Sequence, residues 1–390
     1  MPHPKPKTRP GPRPLPLHLS LSLAAWLTSP AGLMLSASGW NGWSNPDSAS
    51  LLLAPPKQAG AALARAASAK LSLLLDGVDR YRKHPYTRSL SDPPVIWQEG
   101  CSRLLDFGGK GPVALFVPSL INKAYILDLD EKRSLLRWLT KQGIRPLLLD
   151  WGSPGMDERS FGLEDYVLRL ERLLKAIKKP VHLVGYCMGG NLALAAALRQ
   201  SPLVRSLALL ATPWDFHVGN KPAALRSALL YRTWQPVCTL LGQLPVDLIQ
   251  TLFTLLDPLG PQKKFIRFAR LQDKEEAESF VALEDWLNDG IPLPLKAAED
   301  CLLGWYENNT TAKGTWIVDS VQINPAQIST PTLVMIPEDD RIVHPASASA
   351  LAALLPSRTR LDVPLGHVGM VVSREAPERV WKPLLNWLEG

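Results

Sequence analysis

The stretch that decides the fold is Val181-His182-Leu183-Val184-Gly185-Tyr186-Cys187-Met188-Gly189-Gly190, followed by the alanine-rich run Asn191 to Leu198. The apolar, partly β-branched start reads as a buried strand and the alanine-rich run as a helix. Between them, Gly-Tyr-Cys-Met-Gly is a tight turn with small residues two positions either side of a cysteine. Such a turn forces its central residue into a strained backbone conformation and brings strand and helix so close that side chains at the flanking positions would collide. Cys187 is thereby lifted out at the crest, as a nucleophile must be. The amide of Met188 falls at the helix N-terminus, where free N–H groups can hold a developing oxyanion.

On either side of this turn the chain alternates between strands and helices. Val113 to Val117, Arg145 to Asp150 and Leu207 to Ala211 read as strands, with helices expected over 134–142 and 163–175. Pro93 to Gln98 and Leu104 to Phe107 read as an entry hairpin. From 214 to 326 the alternation stops, giving way to helical periodicity rich in Trp and Leu, including Trp234, Trp286, Trp305 and Trp316. Strands resume at 332–336 and 360–363, and a last helix is expected over 377–388. These patterns predict an α/β-hydrolase fold, a mostly parallel central sheet flanked by helices, with a helical cap inserted between late strands. The expected organisation is a Pro/basic tail and apolar segment over 1–40, a helical region over 41–92, a core over 93–213 and 327–390, and the cap over 214–326.

The two late strands each end in chemistry. After 332–336 comes Pro337-Glu338-Asp339-Asp340-Arg341-Ile342-Val343, and after 360–363 comes Pro364-Leu365-Gly366-His367-Val368-Gly369. The chain order nucleophile, acid, histidine, each just past a strand's C-terminal end, predicts a catalytic triad of Cys187, Asp340 and His367. The histidine takes the thiol proton and passes it on, and the carboxylate holds the imidazole tautomer. Of seven histidines only His367 has the strand-end, glycine-flanked setting. Asp340 is preferred to Glu338 and Asp339 because it lies nearest the apolar pair Ile342-Val343 that anchors the loop.

Composition bounds the rest. The 390 residues are 46% hydrophobic, enough for a full core. The four cysteines, Cys101, Cys187, Cys238 and Cys301, form no metal-binding pattern and fit a reducing cytoplasm. Net charge is +7. Much of it lies in the tail and in the run Lys263 to Arg270, and no nucleic-acid motif accompanies it. Residues 1–16, rich in Pro, Lys and Arg, are expected to be disordered. The apolar run Leu17 to Leu35 with its small-residue end at 36–38 imitates a signal peptide. Interrupted by Thr28, Ser29, Pro30 and Gly32, it is better read as a helix that packs on the domain or an apolar surface.

Beyond these patterns, the segment Phe116-Val117-Pro118-Ser119-Leu120-Ile121-Asn122-Lys123-Ala124-Tyr125-Ile126-Leu127-Asp128-Leu129 resembles the Val-Pro-Pro-x-Ile-Asn-Lys-x-Tyr-Ile-Leu-Asp-Leu segment of polyhydroxyalkanoate synthases. Ser134 to Leu139 and Leu149-Asp150-Trp151 continue the likeness. Gly185 to Gly190 resembles the synthase form of the lipase box, in which cysteine replaces serine. Asp340 to Pro345 and Gly366 to Gly369 resemble its acid and histidine loops. The resemblance spans about 93–390 and is most similar to the short class that works with a partner subunit. Arg341 stands where that family usually has histidine, and Ser119 where it has a second proline.

The resemblance implies an acyltransferase that polymerises (R)-3-hydroxyacyl-coenzyme A through a Cys187 thioester and releases coenzyme A, with no metal or redox cofactor. It implies oxyanion contacts from the amides of Met188 and of Leu120 or Ile121. It also implies a granule surface, a homodimer or a partner synthase subunit as partners, and a cytoplasmic, granule-associated location. Two rival readings use the same residues: a thioesterase or depolymerase in which water is the acceptor, and a non-enzymatic granule scaffold.

Overall fold

The computed structural model describes residues 9–27 and 56–390. Within the apolar run, a helix spans Leu15–Leu27. The rest of that run, 28–35, its small-residue end at 36–38 and the first eight residues lie outside the described part. Among the described residues no helix is long and apolar enough to cross a membrane.

Eight strands form the central sheet: β1 Val95–Glu99, β2 Ser102–Asp106, β3 Val113–Val117, β4 Arg145–Asp150, β5 Val181–Tyr186, β6 Val204–Leu210, β7 Thr332–Pro337 and β8 Arg358–Val363. Their order is β1-β2-β4-β3-β5-β6-β7-β8. The hairpin β1–β2 and the β2–β4 pair are antiparallel, and the remaining pairs are parallel. Residues of β3, β5 and β7 are buried throughout. That is what a parallel strand covered on both faces requires, and why these strands read as continuous apolar runs. In register, Val117 lies beside Gly185, Tyr186 beside Leu210, and Pro337 beside Val363. The C-terminal ends of β5, β7 and β8 therefore reach one edge of the sheet, and whatever follows them is delivered there.

The chain separates into two compact units, Met1–Thr87 with Gln250–Asn288, and Arg88–Ile249 with Asp289–Gly390. This divides the 214–326 insertion, which the sequence reads as one cap. In the first unit the helices Pro56–Lys83, Gly260–Arg270 and Lys274–Asn288 share a core of Leu74, Val78, Tyr81, Phe265, Phe268, Ala277 and Val281. The helices cross at Gly77, where a Cβ would overlap the Phe265 carbonyl. Phe268 and Phe280 stack with centroids 4.2 Å apart. Arg9 closes this unit. Its guanidinium donates to both carboxylate oxygens of Asp285, at 2.6 and 2.9 Å, and to the carbonyls of His84 and Tyr86. Asp285 also accepts from the Tyr81 hydroxyl at 2.8 Å.

The remainder of the insertion belongs to the second unit. The helix Lys221–Leu241 packs on a π-helical stretch, Asp300–Glu307, and Arg232 pairs with Glu307 at 2.7 Å. Two short ladders, Gln243–Leu244 with Leu293–Pro294 and Ile317–Val318 with Val321–Gln322, complete it. The expected tryptophan cluster is also divided. Trp305 and Trp316 lie 5.2 Å apart with Trp214 beside them, whereas Trp286 belongs to the first unit.

Candidate active site

Cys187 sits between β5 and the helix Met188–Arg199 with φ 55° and ψ −131°. A non-glycine residue at positive φ is strained and persists only where its surroundings over-determine it. Here the Cys187 N–H donates to Leu210 O at 2.8 Å, and its carbonyl accepts from Gly190 N–H at 2.9 Å. The flanking glycines have the mechanical role expected of them. A Cβ on Gly185 would lie 2.9 Å from Gly190 N and 3.0 Å from the Ala193 Cβ, and closer still to Gly190 Cα. One on Gly189 would overlap the carbonyls of Val117 and Pro118. The turn is thus pressed against the loop that follows β3.

His367 and Asp340 meet at the same sheet edge. His367 Nδ1 donates to Asp340 Oδ2 at 2.6 Å, with both residues buried. The loops that carry them are laced by backbone bonds from Glu338 N–H to Val363 O and from Asp339 N–H to Leu365 O. The other Asp340 oxygen accepts from the amides of Ile342 and Val343, at 2.7 and 2.8 Å. Three donors therefore fix this carboxylate. Asp339 is exposed and has no such set, and Arg341 is exposed as well.

Burial, the largest influence on His367, disfavours its charged form, but the Cys187 sulfur and the Asp340 carboxylate outweigh it and raise the imidazole to about 10. Asp340 is also its side-chain hydrogen-bond partner. Nδ1 is turned to Asp340, so Nε2 remains for the sulfur, the arrangement that proton transfer from a thiol needs. Tyr186 supports the ring from below. Its hydroxyl donates to the His367 carbonyl at 3.1 Å, and the two rings lie 5.2 Å apart.

The structure brings Cys187, Asp340 and His367 together. It also sets the three expected oxyanion amides in distinguishable states. Met188 opens its helix, so its N–H has no intrahelical acceptor. The Ile121 amide is engaged by its neighbour, donating to Ser119 Oγ at 3.2 Å, and Leu120 is buried in the same loop. Behind the loop, Ile291 N–H donates to Ile121 O at 2.8 Å and Lys123 pairs with Asp289 at 3.0 Å. Trp151 Nε1 donates to Pro118 O at 3.0 Å. The engagement of Ile121 by Ser119, and the straps from Trp151, Asp289 and Ile291, lie outside what the sequence pattern indicated. Hydroxyl-to-backbone turns at Ser are the one general signal that could have suggested the first.

Three of the other described histidines have structural roles. His182 bonds Ser206 within the sheet, His344 caps a helix, and His217 Nε2 donates to the Tyr306 carbonyl.

Sheet order, elbow and triad geometry define an α/β hydrolase. The alpha/beta hydrolase fold family matches residues 145–373, more than half of the chain, and the chain belongs to that family. A solved structure, a putative non-heme bromoperoxidase from Mycobacterium tuberculosis, superposes with a TM-score of 0.50 at 18% identity, covering 78% of this chain and 98% of that one.

The resemblance to polyhydroxyalkanoate synthases is borne out by curated relatives named poly(3-hydroxyalkanoate) polymerase subunit PhaC. That of Haloferax mediterranei is 28% identical over 75% of this chain and 63% of its own length. That of Haloarcula marismortui is 30% identical over 70% and 60%, and that of Allochromatium vinosum 28% identical over 70% and 79%. The match spans about three fifths of the length of the first two.

Proposed function

We propose that the protein is an acyltransferase of the polyhydroxyalkanoate synthase kind, which builds polyester from (R)-3-hydroxyacyl-coenzyme A. The observation that carries this reading is a cysteine, rather than a serine, on the elbow beside a buried His367–Asp340 pair, in a chain whose relatives are named polymerase subunits. The Cys187 sulfur attacks the thioester carbonyl carbon. Charge gathers on the carbonyl oxygen, held by the amides of Met188 and Leu120. The carbon–sulfur bond to coenzyme A breaks, and the proton held by His367 goes to the departing thiolate.

A hydroxyl at the end of a second hydroxyacyl chain then gives its proton to His367 and attacks the Cys187 thioester. The ester forms, and the Cys187 sulfur leaves and is ready for another cycle. A thioester retains more acyl activation than a serine ester would, which suits transfer to an alcohol. Asp340 works as an orienting carboxylate, because its oxygens already accept three hydrogen bonds. The partners follow from the same reading: a second copy or a partner synthase subunit, and a polyester granule surface in the cytoplasm.

The test is to supply purified protein with (R)-3-hydroxybutyryl-coenzyme A, with and without a partner synthase subunit, and to analyse the products. Coenzyme A release with insoluble polyester is the expected result. Free 3-hydroxybutyrate as the sole product at every substrate concentration, partner supplied, would replace this reading by a thioesterase.

A further inference from the structure

Tyr186 has no duty in the elbow turn itself. The turn needs glycine at 185 and 189, where a Cβ would meet Gly190 and the loop after β3, and it makes no such demand at 186. As the last residue of a fully buried strand, 186 needs only an apolar side chain. The phenol placed there does two further things, both directed at His367. Its hydroxyl donates to the His367 carbonyl at 3.1 Å, and its ring lies 5.2 Å from the imidazole at an interplanar angle of 33°. That angle is nearer to stacking than to an edge-on contact. The separation is inside the ~6 Å within which a ring face attracts a cation.

Burial works against an imidazolium at this position. Two acidic groups oppose that: Asp340, from the loop after β7, bonded to Nδ1 at 2.6 Å, and Cys187, from the elbow. Asp340 divides its charge, since its second oxygen is held by the amides of Ile342 and Val343. The Tyr186 ring, at the end of β5, adds a third favourable contact and brings no charge of its own. Burial, with Cys187 and Asp340 adding to it, keeps the phenol protonated. The face of a neutral aromatic ring carries negative potential, and its attraction for a cation is strongest where water is excluded. The hydroxyl tie fixes the His367 backbone, so the ring contact and the Asp340 bond are held together.

We infer that Tyr186 is a positioning residue whose ring, lying against the imidazole, stabilises the charged form of His367 and so holds Cys187 as a thiolate before substrate arrives. This rests on the Cys187–His367–Asp340 reading of the site and not on the acceptor that follows acylation.

The experiment grades the electron density of the ring while keeping its shape. Full-length protein carries Tyr186→Phe, or at the same position a phenylalanine with difluorinated or trifluorinated ring, which weakens the negative face step by step. The proton affinity of His367 is read from the pH titration of its imidazole by NMR in histidine-labelled protein, with His367→Gln to assign the signal. The thiolate is read from the alkylation rate of Cys187 by iodoacetamide. Tyr186→Phe leaves the affinity almost unchanged, since the ring remains. Fluorination then lowers it in order, by about tenfold in all, and alkylation at neutral pH slows in the same order. A merely structural role follows ring size, which fluorine scarcely alters, so a titration that is flat across the series overturns the inference. So does a full drop in Tyr186→Phe, which would assign the effect to the hydroxyl. A graded series in a protein that no hydroxyacyl-coenzyme A acylates removes the synthase reading and leaves this inference standing.

Discussion

Replacing Gly189 with alanine tests whether the loop after β3 and the elbow helix together form the oxyanion site. The added Cβ would lie 2.6 Å from the Pro118 carbonyl carbon and nearer still to the oxygens of Val117 and Pro118, whereas ordinary contact begins at 3.4 Å. All three are backbone atoms, so no side chain can swing aside. Loop or helix must give by more than about 0.8 Å, since the two oxygens lie closer than the carbon. Whichever yields, the Met188 amide and the amides of Leu120 and Ile121 move apart. Misplacement on this scale costs about a hundredfold in rate, comparable with losing one oxyanion donor. Overpacking should lower stability by a further ~1–3 kcal/mol. The assay is rapid-quench measurement of coenzyme A release in the first turnover, with urea unfolding on the same preparation. A folded Gly189→Ala protein that acylates within threefold of wild type would refute the two-sided oxyanion site.

Cys187→Ala should abolish acylation and leave the fold intact; mass spectrometry after incubation with substrate should find the acyl adduct of the wild-type protein on Cys187 and not on Cys101, Cys238 or Cys301. Asp340→Asn should reduce turnover by about 10³–10⁴-fold through loss of the correct imidazole tautomer, while Asp339→Asn stays within a few-fold; equal effects would reverse the assignment. Because His367 is raised to about 10 in the folded protein from an ordinary value of 6.5, its contribution to stability is complete below about pH 6.5 and is lost as pH rises through 10. Melting curves from pH 6 to 10.5 should fall more steeply for wild type than for His367→Gln, and parallel curves would contradict the buried charge pair. Arg9→Met should destabilise the first unit by ~2–3 kcal/mol, since it strips a partly buried carboxylate of its cation; hydrogen exchange over 74–83 would read this directly, and unchanged protection there would argue against it.

The elements around Cys187 were legible in the sequence because each obeys a local rule. Continuous apolar runs give buried strands, small residues flank the elbow, and acid and histidine follow strand ends. The fate of 250–288 was not legible. Phe265, Phe268 and Val281 announce an apolar face, but a face does not name its partner. The choice of Leu74 and Val78 from the Pro56–Lys83 helix is a matter of long-range packing. The same holds for Arg9 and Asp285, whose pairing spans 276 positions. Within the site, the engagement of Ile121 by Ser119 depends on a hydroxyl rotamer, which leaves no periodic trace. The π-helix itself replaces an expected α-helical register by one residue's worth of bulge, which hydrophobic spacing cannot register.

The first unit also sets a timetable for synthesis. Its early helices end at Lys83, yet the helix that supplies Phe265 and Phe268 does not begin until Gly260. Roughly 180 residues must be translated in between, which at about 5–20 residues per second takes about 10–35 s. For that interval Leu74, Val78 and Tyr81 leave the ribosome without their native neighbours. The nascent chain must either shelter that face locally or present it to a chaperone.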